Sequence, residues 1–500
     1  MTATHYELPA NLTAKKLISA LSDKFETHVA SKQYLLKTYY DSFDWRLYKH
    51  DLICEFNRSK QSSSLILSNR KTNDLVASTI LFDVPSFCKQ FNPGKVRQAL
   101  EPVLGIRALI AVCTLECEAY HLDITDQDEK VVLRLLIEEF ELLSNRLTLF
   151  PVKGNAKFIK QITDLLINDL GLTTANKPVL LQALSLQGRL PKDYSAKLDL
   201  SFTPHMPADT ACKAVFSSLL KIIKLNEQGV IADTDSEFLH DYRIAVRKTR
   251  VGLNQMKNIL PQDVLTQYKE FFSWLGKITN ECRDLDVYLL NFDDYKKKLP
   301  SAIRQNINPL QQFLAAKKQK SHKQLARQLR SKKYKTTLTK WEAFLTCTAR
   351  DSTDEQAATI TAKDLADRKI HKTYKNIIKL GEQITPQSPP EALHNLRKIC
   401  KRLRYLMEFF QNLYPERRIS KSIASLKKLQ DVLGDYQDYA VQQEQLQQFS
   451  GEMQATNTPS KTFLAMGVLI QEFENRKCKA RNRFDAQFAA FKKANIKGLL

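Results

Sequence analysis

The spacing of apolar positions changes near residue 190. Before it, short continuous runs such as Ser64–Ser68, Ser78–Phe82 and Val131–Ile137 read as strands, while Phe158–Leu170 recurs at helical spacing and stops before Gly171. Residues 1–195 are therefore expected to form an α+β domain. From Pro191 to Asp209 three prolines (Pro191, Pro204, Pro207) interrupt a stretch with neither period, which reads as a linker. Beyond it the helical period runs to the end, so residues 205–495 are expected to be all-α. The first predicted helix is Ala211–Glu227, followed by a turn at Gly229 and N-cap candidates in Asp233–Ser236. A helix from Glu237 stops at Pro261, and another runs from Val264 to about Leu290. Arg368–Gln383, a turn at Pro386–Pro390, Glu391–Tyr414, a helix carrying residues 426–441 and Phe463–Lys493 complete the series.

Two of these helices carry the same pattern. Residues 240–250 (HDYRIAVRKTR) and 394–404 (HNLRKICKRLR) share the spacing H-x-x-R-x-x-x-[R/K]-x-x-R. A constant offset of 154 pairs His240 with His394, Arg243 with Arg397, Arg247 with Lys401, Lys248 with Arg402 and Arg250 with Arg404. The same offset goes on to match Pro261 with Pro415, Leu275 with Leu429, Asp284 with Asp438 and Val287 with Val441. Such self-similarity marks a duplicated unit; its copies span about 211–300 and 368–450, with one further helix after them. At about 100° per residue, the four spaced bases of each copy fall on one helix face, and Leu396, Ile399, Cys400, Leu403, Met407 and Phe410 lie opposite. Like charges at i,i+3 and i,i+4 cost roughly 0.2–0.5 kcal/mol per pair, so an anion is expected to compensate them. Asp284 and Asp438 are expected to orient the bases through ion pairs, and Trp274 and Tyr405 to be packing residues.

Charge sharpens this picture. The chain has a formal net charge of +22. Residues 1–200 hold 25 Lys and Arg against 23 Asp and Glu, whereas 201–500 hold 51 against 31, which places anion binding in the C-terminal part. By itself a basic field does not separate DNA, RNA, an anionic membrane or a phosphate polymer. From Tyr295 to Trp341 there are fourteen Lys or Arg and no acid; this run reads equally as a solvated surface or a secondary anion contact. No glycine-rich phosphate loop occurs, and no apolar run reaches membrane-spanning length. Nine scattered cysteines without a C-x-x-C pair fit reduced thiols in a cytoplasmic protein.

The C-terminal residues resemble the CHAD family, the conserved histidine α-helical domain. The resemblance rests on both histidine–arginine stripes, RDLDV at 283–287 and LQDVLGDYQD at 429–438. It implies duplicated four-helix bundles facing each other across a basic groove that binds inorganic polyphosphate. His240, Arg243, Arg247, Lys248, Arg250, His394, Arg397, Lys401, Arg402 and Arg404 would line it. Residues 1–195 resemble a CYTH domain, a β-rich tunnel that hydrolyses triphosphate with a divalent metal. The resemblance is carried by the opening YEL, residues 39–58, LEPVLGIRAL (100–109) and LTLFPVKGN (147–155). CYTH catalysis uses an opening E-x-E-x-K strand, where this chain reads H-Y-E-L-P and keeps Glu7 alone between His5 and Pro9. Glu116 and Glu118 form another E-x-E, better read as exposed acids. The N-terminal domain is thus expected to be degenerate, with no catalytic or metal residues, and Mg²⁺ or Mn²⁺ needed only if it is active. The expected function is polyphosphate binding in the cytoplasm, at polyphosphate granules. A metal-dependent inorganic triphosphatase and a nucleic-acid binder are the alternatives, and no membrane partner is expected.

Overall fold

The computed structural model describes residues 3–152, 155–175, 177–257, 259–347, 360–455 and 457–494, so Lys153 and Gly154 of the LTLFPVKGN stretch and most of the polar connector at 350–361 lie outside the described residues. Two compact units result, Met1–Ser195 and Ala196–Leu500.

The first unit is one antiparallel sheet with helices on both faces. Its strands are β1 (Thr4–Glu7), β2 (Thr27–Asp41), β3 (Leu52–Arg58), β4 (Ser63–Asn69), β5 (Leu75–Ile80), β6 (Ile110–Thr125), β7 (Val131–Phe140), β8 (Arg146–Pro151) and β9 (Thr173–Thr174). They lie in the order β5-β4-β3-β2-β6-β7-β8-β1-β9. The helices are α1 (Ala14–Ser22), α2 (Arg46–Lys49), α3 (Lys95–Leu104), α4 (Ala156–Asp164) and α5 (Val179–Leu186). Successive strand residues point to opposite faces. Tyr6, Leu122, Leu135 and Leu149 pack with Leu17 of α1 and Ile162 of α4, while Phe56, Leu65 and Leu67 pack with Leu100 of α3. The alternate residues His5, Lys37, Glu55, Glu138, Arg146 and Thr148 line a cavity of about 800 Å³ on the other face of the curled sheet, where α5 packs beside the cavity. Cys113 and Cys117 sit buried on β6.

Among the described residues, the regular elements of the second unit are helices, apart from one isolated β-bridge. In order come α6 (Ala208–Ala232), α7 (Ser236–Gln255), α8 (Gln262–Ile278), α9 (Asn280–Leu290), α10 (Phe292–Lys298), α11 (Asn308–Leu329) and α12 (Lys332–Thr346). Then follow α13 (Ala362–Glu382), α14 (Pro390–Phe410), α15 (Glu416–Gln454), α16 (Ser460–Asn482) and α17 (Phe484–Lys493). The offset of 154 governs the backbone as well as the motif. It separates the starts of α6 and α13, of α7 and α14, and of α8 and α15. The repeat also reaches further than its basic helices, because the bent rod α11–α12 recurs as α16–α17. Each copy therefore has four rods, the last C-terminal helix being the fourth rod of the second copy.

The copies meet about a local two-fold relation. Pro207 bridges Thr361; Ala208 N donates to Ile360 O (3.0 Å) and Ala362 N to Met206 O (2.8 Å), an exchange in which each partner lies 154 residues from its counterpart. Tyr288 OH donates to the carbonyl of Gln442 across the same relation (2.7 Å). A shared core of Tyr288, Phe292, Leu310, Phe449, Leu469 and Phe473 closes around it.

Some helix boundaries differ from the periodicity. Gly229 lies inside α6, where a Cβ would overlap the ring of Phe238, and the turn falls at Asp233 in the left-handed region (φ 53°). Asp235 caps α7 by accepting from Glu237 N. That helix stops at Gln255, and Pro261 precedes the first turn of α8. The long helix expected to Leu290 breaks at Thr279, and the expected Phe463–Lys493 helix breaks at Arg483. Apolar spacing locates the buried face of a helix but is blind to a one-residue change of axis.

Candidate functional site

The stripe on α7 is held by the helix pair α8–α9. His240 Nδ1 accepts from Arg283 Nη2 at 3.0 Å, and since a guanidinium can only donate, the imidazole is neutral with its proton on Nε2. Burial first, then the charge of Arg283, keeps His240 below its ordinary range. Arg283 is itself fixed by Ser236 O (2.9 Å) and Glu237 (3.5 Å). Arg243 donates to Thr279 Oγ1 at 2.8 Å and lies 3.4 Å from Gly276 O, so the break between α8 and α9 is its seat. Burial and the neighbouring Arg247 pull Arg243 down to about 10. Arg250 lies over Gly276, whose missing side chain leaves the room.

The stripe on α14 follows the same plan with different partners. His394 Nδ1 lies 2.8 Å from Gln437 Oε1, and Gln437 stands where the first copy has Arg283. Arg397 pairs with Asp438 at 2.9 Å, as expected for that acid, yet its buried Nε has no acceptor. Asp284, the equivalent acid, makes no ion pair among the described residues; burial raises it while Arg243, Arg247 and Arg283 pull it down. Arg404 Nε is 3.3 Å from Glu408 on its own helix.

The two stripes converge. Lys401 is lowered to about 7, by burial first, then by Arg397 and Arg404 on its own helix and by Arg247 of the other copy, against Asp438. Arg247 makes no ion pair or hydrogen bond among the described residues. Burial and the surrounding bases, Arg247 of the other copy among them, disfavour this charge, and an incoming anion would relieve that.

Two of the ten expected residues sit elsewhere. Lys248 is only 8% exposed and its ammonium lies 2.8 Å from Glu408, tying α7 to α14 as a structural ion pair. Arg402 is carried about 100° around α14 from the stripe and lines a separate pocket with Lys372, Lys375 and Lys379 of α13. The reason is helical: both occupy the position directly after the stripe's third base, which faces sideways. Sequence reasoning missed the supports Arg283, Thr279, Gln437 and Glu408. Arg283 and Gln437 each follow their histidine by 43 residues, a spacing that could have marked them. Trp274 is half-buried and Tyr405 buried. The basic run of α11–α12 is partly structural: Lys317 pairs with Glu452 (2.5 Å) and Lys318 with Asp233 (2.8 Å) and Asp286 (3.2 Å).

The cavity of the first unit balances its own charge. Lys37, 5% exposed, sits between Glu138 (2.6 Å) and Glu55 (2.9 Å). Burial would lower it, but the two carboxylates outweigh that and hold it well above its ordinary value. Glu7 is taken by Arg146 (2.7 Å) and Gln182 (3.0 Å), and His5 Nδ1 lies 3.0 Å from Thr148 Oγ1. Glu118 pairs with Lys32 at 3.0 Å and Glu116 with Tyr34, in the middle of the β2–β6 pair and open to solvent. The Mg²⁺ or Mn²⁺ that a CYTH resemblance implies does not fit this donor set. It would have to displace an ammonium from the cavity's two carboxylates, and no three acids, histidines or cysteines are grouped to hold a metal among the described residues. No helix among the described residues is long and apolar enough to cross a membrane.

With this geometry in view, the likenesses to known proteins fall on the duplicated helices. Residues 214–447 match the CHAD domain model, so this segment is a CHAD domain. The crystal structure of the CHAD domain from the plant Ricinus communis superposes with a TM-score of 0.50 at 22% identity, covering 60% of this chain and 96% of that one, which establishes the helical fold. An uncharacterised protein of Mycobacterium tuberculosis, found in two strains, is 26% identical over 300 residues. The match covers 58% of this chain and 55% of that protein, so the chain spans about half the length of the curated relatives it matches. HpAC1 from Hippeastrum, described as having a dominant triphosphatase activity, aligns at 10% identity and a TM-score of 0.30 (39% of this chain, 99% of that one), too distant to bear on chemistry.

Proposed function

We propose that the helical unit binds inorganic polyphosphate between its two basic stripes and that the N-terminal unit is not catalytic. One observation carries the reading: bases from both copies converge on Lys401 and Arg247 without enough acid to balance them. Polyphosphate bears about one charge per phosphate and no base, so its reader needs dense cations and directed donors rather than stacking rings. His240 offers an Nε2–H, Arg397 an Nε–H without an acceptor, and Arg247 an unengaged guanidinium. The aromatic rings in and directly beside the two motifs, Tyr242 and Tyr405, are buried, which favours a phosphate polymer over single-stranded nucleic acid. The paired carboxylates of the first cavity support a unit that has lost metal chemistry.

The test is retention of long-chain polyphosphate by the whole chain carrying Arg397→Glu with Arg404→Glu. Binding should fall at least about a hundredfold, since two charge-assisted contacts become repulsions, while the helical circular-dichroism signal stays. Unchanged retention would remove the stripes from the site. Equal displacement of polyphosphate by nucleic acid at matched phosphate and salt would favour a general polyanion binder. Metal-dependent phosphate release from tripolyphosphate would restore the triphosphatase alternative.

A further inference from the structure

Arg402 was drawn into the basic motif by its place in the sequence, but its side chain serves a different surface. It meets Lys372, Lys375 and Lys379 of α13 and Gln255 of α7 in a pocket of about 410 Å³. Asn376 and Thr373 complete the lining, which holds no acid and no aromatic ring. Lys372, Lys375 and Lys379 succeed one another at i,i+3 and i,i+4 on one face, an arrangement that repels itself. None of these three lysines, nor Arg402, forms an ion pair among the described residues. More charge presses in from behind: half-buried Lys369 is held down by burial and then by Arg368, Lys372 and Lys257.

The other copy shows that the fold does not require this. At the offset of 154, Arg402 corresponds to Lys248, which Glu408 neutralises at 2.8 Å. Lys372, Asn376 and Lys379 correspond to Ser218, Ile222 and Leu225, while Lys375 corresponds to another lysine, Lys221. The same backbone therefore carries one neutralised base and one further lysine in one copy, and four cations without an ion pair in the other.

We infer that Arg402, Lys372, Lys375 and Lys379 form a second anion site, apart from the stripes, for a short multiply charged phosphate of the diphosphate and triphosphate class. The volume suits a few linked phosphates, the four cations match their charge, and the amides of Gln255 and Asn376 can donate to their oxygens. With no ring in the lining, a base attached to the phosphates gains nothing.

The experiment is calorimetric titration of the whole chain with tripolyphosphate, without divalent metal, in a background of Arg397→Gln with Arg404→Gln that weakens the stripes. Binding should persist there, and adding Arg402→Gln with Lys375→Gln should weaken it at least about tenfold with the melting temperature unchanged. The inference fails if no binding survives in the first background, if the second pair of substitutions leaves it intact, or if sodium sulfate at equal ionic strength competes as well as tripolyphosphate. Its failure is separable from that of the stripes, which is read by long-chain polyphosphate on the unsubstituted pocket.

Discussion

A buried lysine and a half-buried one face opposite circumstances. Lys37 of the sheet unit is enclosed by two carboxylates and stays charged at any ordinary pH, whereas Lys401 of the helical unit is enclosed by Arg247, Arg397 and Arg404 and titrates near 7. Desolvation disfavours both ammonium groups; what differs is whether the protein supplies the counter-charge. Lys37 is complete and therefore structural. Lys401 is incomplete, and its missing partner is best supplied by a ligand.

The largest effect should come from breaking the complete side. Lys37→Met strands Glu55 and Glu138 in the sheet, and removing one member of a buried ionic group costs about 3–5 kcal/mol. Calorimetry should show the first unit melting about 10 °C lower, with polyphosphate binding untouched; a loss of binding would mean that the sheet unit takes part.

Lys401→Met does the reverse. The unfolded ammonium titrates near 10.4 and the folded one at about 7, so between these values the unfolded chain holds more protons and stability rises with pH. Below pH 7 the half-buried charge is fully destabilising. The methionine variant should melt about 2–4 °C higher at pH 7 and bind polyphosphate about tenfold more weakly. A variant that melts lower would show Lys401 to be a supporting residue.

A smaller effect is proton linkage. A bound phosphate favours the charged Lys401 and raises its titration point, so binding takes up a proton. Affinity should be highest below pH 7 and fall by at most about tenfold between pH 6.5 and 8.5, measured at constant ionic strength. Lys401→Arg keeps its charge throughout that range and should flatten the profile; a slope surviving in that variant would assign the proton elsewhere.

The smallest effect compares the stripes with each other. Arg283→Gln gives the first copy the partner that His394 has in Gln437, and frees His240 to accept a second proton. Binding should become about two- to threefold more sensitive to pH near 6.5. No change in the profile would mean that His240 does not meet the ligand.

Much of this molecule was legible in its sequence. The change of apolar period separated a sheet unit from a helical one, and the offset of 154 exposed a duplication that the backbone follows to the residue at three helix starts. The stripe positions His240, Arg243, Arg247, Arg250, His394, Arg397, Lys401 and Arg404 follow from a period of 3.6, because neighbours on a helix face are set by covalent geometry alone. Which bases were neutralised was not legible. Glu408 cancels Lys248, Arg283 fixes the tautomer of His240, and Glu55 and Glu138 enclose Lys37. Arg402, adjacent to the stripe in sequence, faces three lysines of another helix. Local spacing determines where a side chain points. Its charge balance depends on contacts between residues far apart in the chain, and only the tertiary structure brings those together.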